Sequence, residues 1–153
     1  MDKYASYQII ANHKMIIEYY SGMISINDIM LLKDILSRES DFDATFKILH
    51  DFREADFQMD TDDIDKLVNF YVGHKVSGKR RAAYLTLKPN EVVYTTLFSI
   101  LISKSLPING KTFTTIKSAI QWLNVNNELE INKLLDTVKT LPNILSGNGR
   151  EIK

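Results

Sequence analysis

Residues 46–64, FKILHDFREADFQMDTDDI, hold a passage from an apolar strand into a capped helix, and the rest of the chain is read outward from it. Phe46 to Phe52 is dense in apolar residues, free of Gly and Pro, and short enough for a buried strand. Arg53, Glu54 and Asp56 interrupt that run and read as a polar loop. Asp60 or Thr61 then suits a helix cap. Asp62, Asp63 and Asp65 crowd the first turns, where free amides favour anions. Ile64, Leu67, Val68 and Tyr71 give the helix its apolar stripe.

The same strand-to-helix passage recurs on both sides. Upstream, Tyr4 to Ile10 and Lys14 to Tyr20 form two short runs around Ala11-Asn12-His13, the pattern of a hairpin closed by Gly22. Ser25 or Asn27 can start a helix to about Ser37 through Ile29, Leu32, Ile35 and Leu36. Downstream, Arg81 to Leu87 reads as a strand, and Pro89 sits where a first helical residue belongs. The helix to about Lys104 is apolar around almost its whole circumference, so more than one face needs a cover. Lys111 to Thr114 reads as a last strand. Ile116 to Leu123 and Leu129 to Leu141 read as two helices, with a frayed tail at Gly147-Asn148-Gly149. Alternating strands and helices predict an α/β domain with a five-stranded, mostly parallel sheet. An N-terminal antiparallel hairpin and helices chiefly on one face complete the expectation.

A chain of 153 residues with a 44% hydrophobic share suits one domain with a real core. With no Cys there is no disulfide, Cys-based zinc site or thiol nucleophile. The start is not a signal core, and no uncharged apolar run is long enough for a span, so a cytoplasmic location is expected. Nineteen basic and nineteen acidic residues, with pI about 6.8, argue against nucleic acid as a partner. The charge is uneven along the chain. Residues 1–65 carry 14 acidic and 6 basic side chains, and residues 66–153 carry 5 acidic and 13 basic.

Familiar catalytic motifs are missing. No glycine-rich phosphate loop follows an early strand, and Gly78-Lys79 lacks the flanks of a P-loop. No Gly-x-Ser-x-Gly elbow occurs, and His13, His50 and His74 lie in separate elements. Neither cofactor nor metal is expected, although a site built from His50 and Asp51 is conceivable. The cluster His50 to Asp56 lies at the C-terminal end of a parallel strand, where open α/β sheets bind ligands. Asp51, Glu54 and Asp56 can supply a base and Arg53 can hold an anion, yet no nucleophile is paired with a base. Salt bridges with loop capping are the simplest reading, and a binding surface is the next. Lys79-Arg80-Arg81, near His74 and Lys75, reads as a solvated basic patch or an anion contact. Of the adjacent Tyr19 and Tyr20, one ring must point away from any single helical layer.

ISINDIMLLKDIL (residues 24–36), FKILHDFREADFQMDTDDI, RRAAYLTLKPNEVVYTTLF (residues 80–98) and LPINGKTFTTIKSAIQWL (residues 106–123) together resemble the SpoIIAA-like fold. That fold includes the STAS domain of anti-sigma-factor antagonists and STAS/SEC14-like uncharacterised bacterial proteins. The resemblance covers roughly residues 4–126. It implies a STAS-like domain over residues 1–127, with a C-terminal helical extension and flexible tail over 128–153. It also implies a non-catalytic regulatory or protein-interaction module with a regulatory protein partner. In the antagonists an acidic residue ends a strand and an Asp-Ser pair starts the next helix, the serine being phosphorylated. Asp51 fits the first position and Asp60-Thr61 the second, with Thr in place of Ser and Asp62-Asp63 in place of small residues. The alternative is a binding module for a lipid or other small apolar ligand lined by the 92–102 helix. A small hydrolytic or metal-dependent enzyme is the distant third. A homodimer is expected, seeded by Tyr19 and Tyr20 or by the 92–102 helix, unless residues 129–141 cover that helix.

Overall fold

The computed structural model describes residues 2–74 and 78–146. Its elements follow as β1 (Tyr4–Ile10), β2 (Met15–Ser25), α1 (Ile26–Ser37), β3 (Lys47–Gln58), α2 (Thr61–His74), β4 (Arg80–Leu85), α3 (Pro89–Ser103), β5 (Ile108–Phe113), α4 (Ile116–Leu123) and α5 (Glu128–Val138). A single sheet runs in the order β1-β2-β3-β4-β5, with β1 and β2 antiparallel and the other neighbours parallel. Strand order follows chain order, so each strand–helix unit lands beside the one before it.

Alternation along the strands sorts the side chains into two cores. Ile16, Tyr20, Ile48, Phe52, Ala82 and Tyr84 meet α1, α2 and α3 on one face. Met15, Ile17, Tyr19, Leu49, Ala83 and Leu85 meet α4 and α5 on the other. Three of the five helices therefore share a face, and the remaining pair covers the reverse. Tyr19 and Tyr20 point to opposite sides and both are buried, because each side has its own helices. Neither ring is available to a second subunit. Residues 129–141 were the expected alternative cover for the 92–102 helix. Instead α5 lies on β2 and β1, across the sheet from α3. Glu91, Thr95, Phe98 and Ile102 of α3 face inward, and Val93 and Ile100 are left 61% and 52% exposed.

Local chemistry fixes the boundaries. Ser25 caps α1 in a reciprocal box with Asp28. Asp60 caps α2, accepting from the Asp63 N–H at 3.0 Å while Asp63 accepts from the Asp60 N–H at 2.9 Å. Thr61 is thus the first helical residue and not the cap. Gly22 does not end β2. It sits inside the strand at φ +80, where a Cβ would lie 2.8 Å from the Asp2 carbonyl oxygen. β4 and β5 both begin earlier than expected, at Arg80 and Ile108, because their first residues pair with each other. The largest departure is β3, which continues through Arg53, Glu54 and Asp56 to Gln58. The Gly147-Asn148-Gly149 tail and Lys75 lie outside the described residues.

Candidate functional site

β3 keeps its pairing with β2 but slips by one residue between Tyr19 and Ser21, so that Tyr19 opposes Asp51 while Ser21 opposes Glu54. This bulge inverts the alternation. Before it, Phe52 faces the α1–α3 core; after it, Ala55 and Phe57 do. Asp51, Glu54 and Asp56 consequently turn toward the opposite side. The break in period at residues 52–54 is the feature that reads as a loop in sequence.

Each charged group of this cluster has a neighbour. The Arg53 guanidinium donates to both oxygens of buried Asp51, from Nε and from a terminal nitrogen, at 2.9 Å each. Those bonds raise the Arg53 pKa above its usual value. Glu54 accepts from the Tyr19 hydroxyl and lies 3.6 Å from Nζ of Lys139, the residue that follows α5. Burial, with the Glu54 bond, pushes the Tyr19 phenol up to about 12. Lys88 donates to Asp56 and to the Ala55 carbonyl. Beside it a surface groove of about 400 Å³ runs past Asp56, Phe57, Gln58, Lys88, Pro89 and Asn90. Glu91 closes its floor by accepting from the Phe57 N–H at 2.9 Å. Asp60 and exposed Thr61 begin α2. The six candidates thus share one end of the sheet but form separate pairs and caps, not one convergent pocket.

The metal pairing of His50 with Asp51 fails on geometry. Adjacent strand residues point to opposite faces, and His50 enters the α1–α3 core while Asp51 meets Arg53. Among the described residues no group of three His, Asp or Glu side chains is placed to hold a metal. The basic run is also divided. Arg80 is buried and donates to the Ala44 and Asp43 carbonyls, and Arg81 lies over the Trp122 ring.

A second constellation is absent from the sequence expectations. Glu18 of β2, Lys33 of α1 and His50 of β3 meet deep in the α1–α3 core. Lys33 Nζ donates to Glu18 Oε2 at 2.5 Å and to His50 Nε2 at 2.7 Å, and the Tyr20 hydroxyl donates to Glu18 Oε1 at 2.7 Å. His50 Nδ1 lies 3.1 Å from the Ala83 carbonyl, which can only accept, so Nδ1 carries the proton and Nε2 receives the Lys33 bond. Burial, then the Lys33 charge, pushes His50 down to about 3. Burial also lowers Lys33, against the pull of Glu18. Burial alone would raise Glu18; the Lys33 and His50 charges and the bonds from Lys33 and Tyr20 outweigh it and leave the carboxyl lowered. The sequence signal was available: Glu18 stands between Ile16 and Tyr20, and His50 between Ile48 and Phe52, at inward positions of their strands.

This network borders a cavity of about 30 Å³ walled by Phe52, Tyr71, Tyr84, Tyr94 and Phe98. A space of that size admits a water molecule and no acyl chain. On its inward side the 92–102 helix therefore lines a small aromatic cavity, not a lipid-sized pocket. No helix among the described residues is long and apolar enough to cross a membrane.

No family model matches the chain, and no curated protein matches it. Among solved structures it is similar to an uncharacterised protein of the DUF3478 family from Shewanella loihica PV-4, described as having a SpoIIAA-like fold. The two are 16% identical with a TM-score of 0.57, over 80% of this chain and 96% of that one. With the strand order and the opening hairpin already described, that likeness identifies the architecture of this chain as the SpoIIAA-like fold.

Proposed function

We propose that the chain is a non-catalytic regulatory module of the STAS type. In this reading it meets a protein partner through the rim formed by the end of β3 and the start of α2. The observation that carries it is the pairing of the charged residues on this rim. Asp51 holds Arg53, Glu54 meets Tyr19 and Lys139, Asp56 meets Lys88, and Asp60 caps α2. Such groups are held in place as a patterned surface. Thr61 is exposed on the first turn, where a phosphate would meet free helix amides and also the nearby Asp62 and Asp63 carboxylates. Modification there would change both the charge and the shape of the rim.

The experiment is site-specific photo-crosslinking in the source cell, with the reactive residue at Asp56, at Thr61 and, as control, at Lys133. A protein captured from the first two positions and not the third supports the reading. Its loss in a Thr61→Glu background would support the switch at α2. Capture from Lys133 alone would remove the proposal. The homodimer expected from the sequence is not part of this reading. Both tyrosines that were to seed it are buried, and Val93 and Ile100 of the 92–102 helix stay exposed.

A further inference from the structure

Among the described residues β1, the outer half of β3 and β5 each present strand edge with no neighbouring strand, and the chain takes up backbone groups on the first two. At β1, the Ala5 N–H donates to the Asn143 side chain and the Ala5 carbonyl accepts from the Ile144 N–H at 2.9 Å. At the outer half of β3, Lys88 and Glu91 take the Ala55 carbonyl and the Phe57 N–H, at 2.9 Å each. β5 receives no such treatment. The Arg80 N–H bonds the Pro107 carbonyl and the Thr86 N–H bonds the Phe113 carbonyl, so odd-numbered positions face β4. Alternation then turns the N–H and C=O of Ile108, Gly110 and Thr112 outward. Among the described residues nothing bonds them.

The open edge lies along a groove. Thr96, Ser99 and Ile100 of α3 and Gly110 and Thr112 of β5 line about 480 Å³ of it. It shares Ser103 and Asn109 with a second groove of about 730 Å³ that reaches Lys47, Lys79 and Arg81. Gly110 makes this geometry possible, since a Cβ there would lie 2.7 Å from Ser99 Oγ. The charge of the region has one sign. Residues 92–127 contain no Asp or Glu and carry Lys104, Lys111 and Lys117. None of these lysines forms an ion pair among the described residues.

We propose that the β5 edge and the α3 groove beside it accept an extended acidic peptide segment of a partner protein as a sixth strand. Backbone groups alternating N–H and C=O along the edge are satisfied by another peptide backbone, which supplies both in register. Alternate side chains of the added strand then face two different surroundings. Small or apolar ones enter the groove at Thr96, Ser99 and Ile100, and acidic ones on the reverse side meet Lys111. A second copy of β5 fits poorly, because it brings no carboxylate and adds its own Lys111. This surface is separate from the β3–α2 rim, so the two proposals fail independently.

The test uses the full chain and two synthetic ten-residue peptides, one alternating valine with glutamate and one alternating valine with lysine. Amide spectra and hydrogen exchange are followed during titration. The expected result is saturable binding of the glutamate peptide, with new protection at Gly110 and Thr112 and no change at Asp60 or Thr61. Lys111→Glu is exposed and leaves the fold intact; it should weaken that peptide by about tenfold and favour the lysine peptide. Equal binding of both peptides, protection appearing elsewhere, or no saturation at millimolar peptide would overturn the proposal. So would protection of Gly110 that grows with protein concentration alone, since a second copy would then hold the edge.

Discussion

Glu18, Lys33 and His50 put three titratable groups where the core would otherwise be aliphatic and aromatic, and the cost of burying them is offset only while all three stay together. Replacing Lys33 with Met strands the Glu18 carboxylate and should cost about 3–5 kcal/mol in denaturant unfolding. Replacing Glu18 and Lys33 together with Met removes both charges and should recover most of that loss. A double-mutant cycle measures the difference, and simple additivity would show that the pair is not coupled. His50 gives a pH signature. Its folded value of about 3 lies below the ordinary 6.5, so between these limits the unfolded chain binds a proton that the folded chain refuses. Stability therefore falls as pH falls. From pH 7 to 5 this one group should remove about 2 kcal/mol, a loss absent from His50→Gln. Equal slopes for the two proteins over that interval would reject the assignment. Glu18 acts in the same direction below its ordinary 4.5, outside the tested interval.

Secondary elements depend on small local devices, and these separate what was legible in sequence from what was not. Asp60 and Thr61 were both credible caps for α2, and the bonds choose Asp60. Asp60→Ala should lower stability by about 1 kcal/mol, while Thr61→Ala should leave thermal unfolding almost unchanged. The reverse ranking would return the cap to Thr61. Helix starts at Ser25 and Pro89 could be read because capping is local chemistry. The bulge on β3 could not, since an extra residue is defined only against the partner strand. That one slip turned Arg53, Glu54 and Asp56 from an expected loop into strand residues. Lys33 was hidden in another way: its spacing from Ile29 puts it on the buried face of α1, but the partners that let a lysine lie there, Glu18 and His50, come from β2 and β3.

At the level of the molecule, the five-stranded mixed sheet was legible from the alternation of periods, because consecutive units stack in chain order. The assignment of α5 to the reverse face was not, since an amphipathic helix does not name the surface it covers. On that ground we expect residues 1–127 alone to be an incomplete body. Ile131, Leu135 and Val138 are fully buried against a surface that includes Met15, Ile17 and Tyr19. At about 1.5–3 kcal/mol for each buried side chain, their loss approaches the whole stability of a small domain. A chain ending at Asn127 should lose its cooperative thermal transition and bind a hydrophobic dye. Retention of a sharp transition would instead make α5 a dispensable appendage.

The place of α5 also bears on how the protein emerges from a ribosome. Sheet growth can keep pace with synthesis, each new strand finding the one made just before it as its neighbour. The roof over Met15, Ile17 and Tyr19 arrives only with residues 128–138, after every strand has been laid down. Throughout translation of β3, β4 and β5 that apolar surface waits uncovered, the kind of exposed patch that chaperones shield.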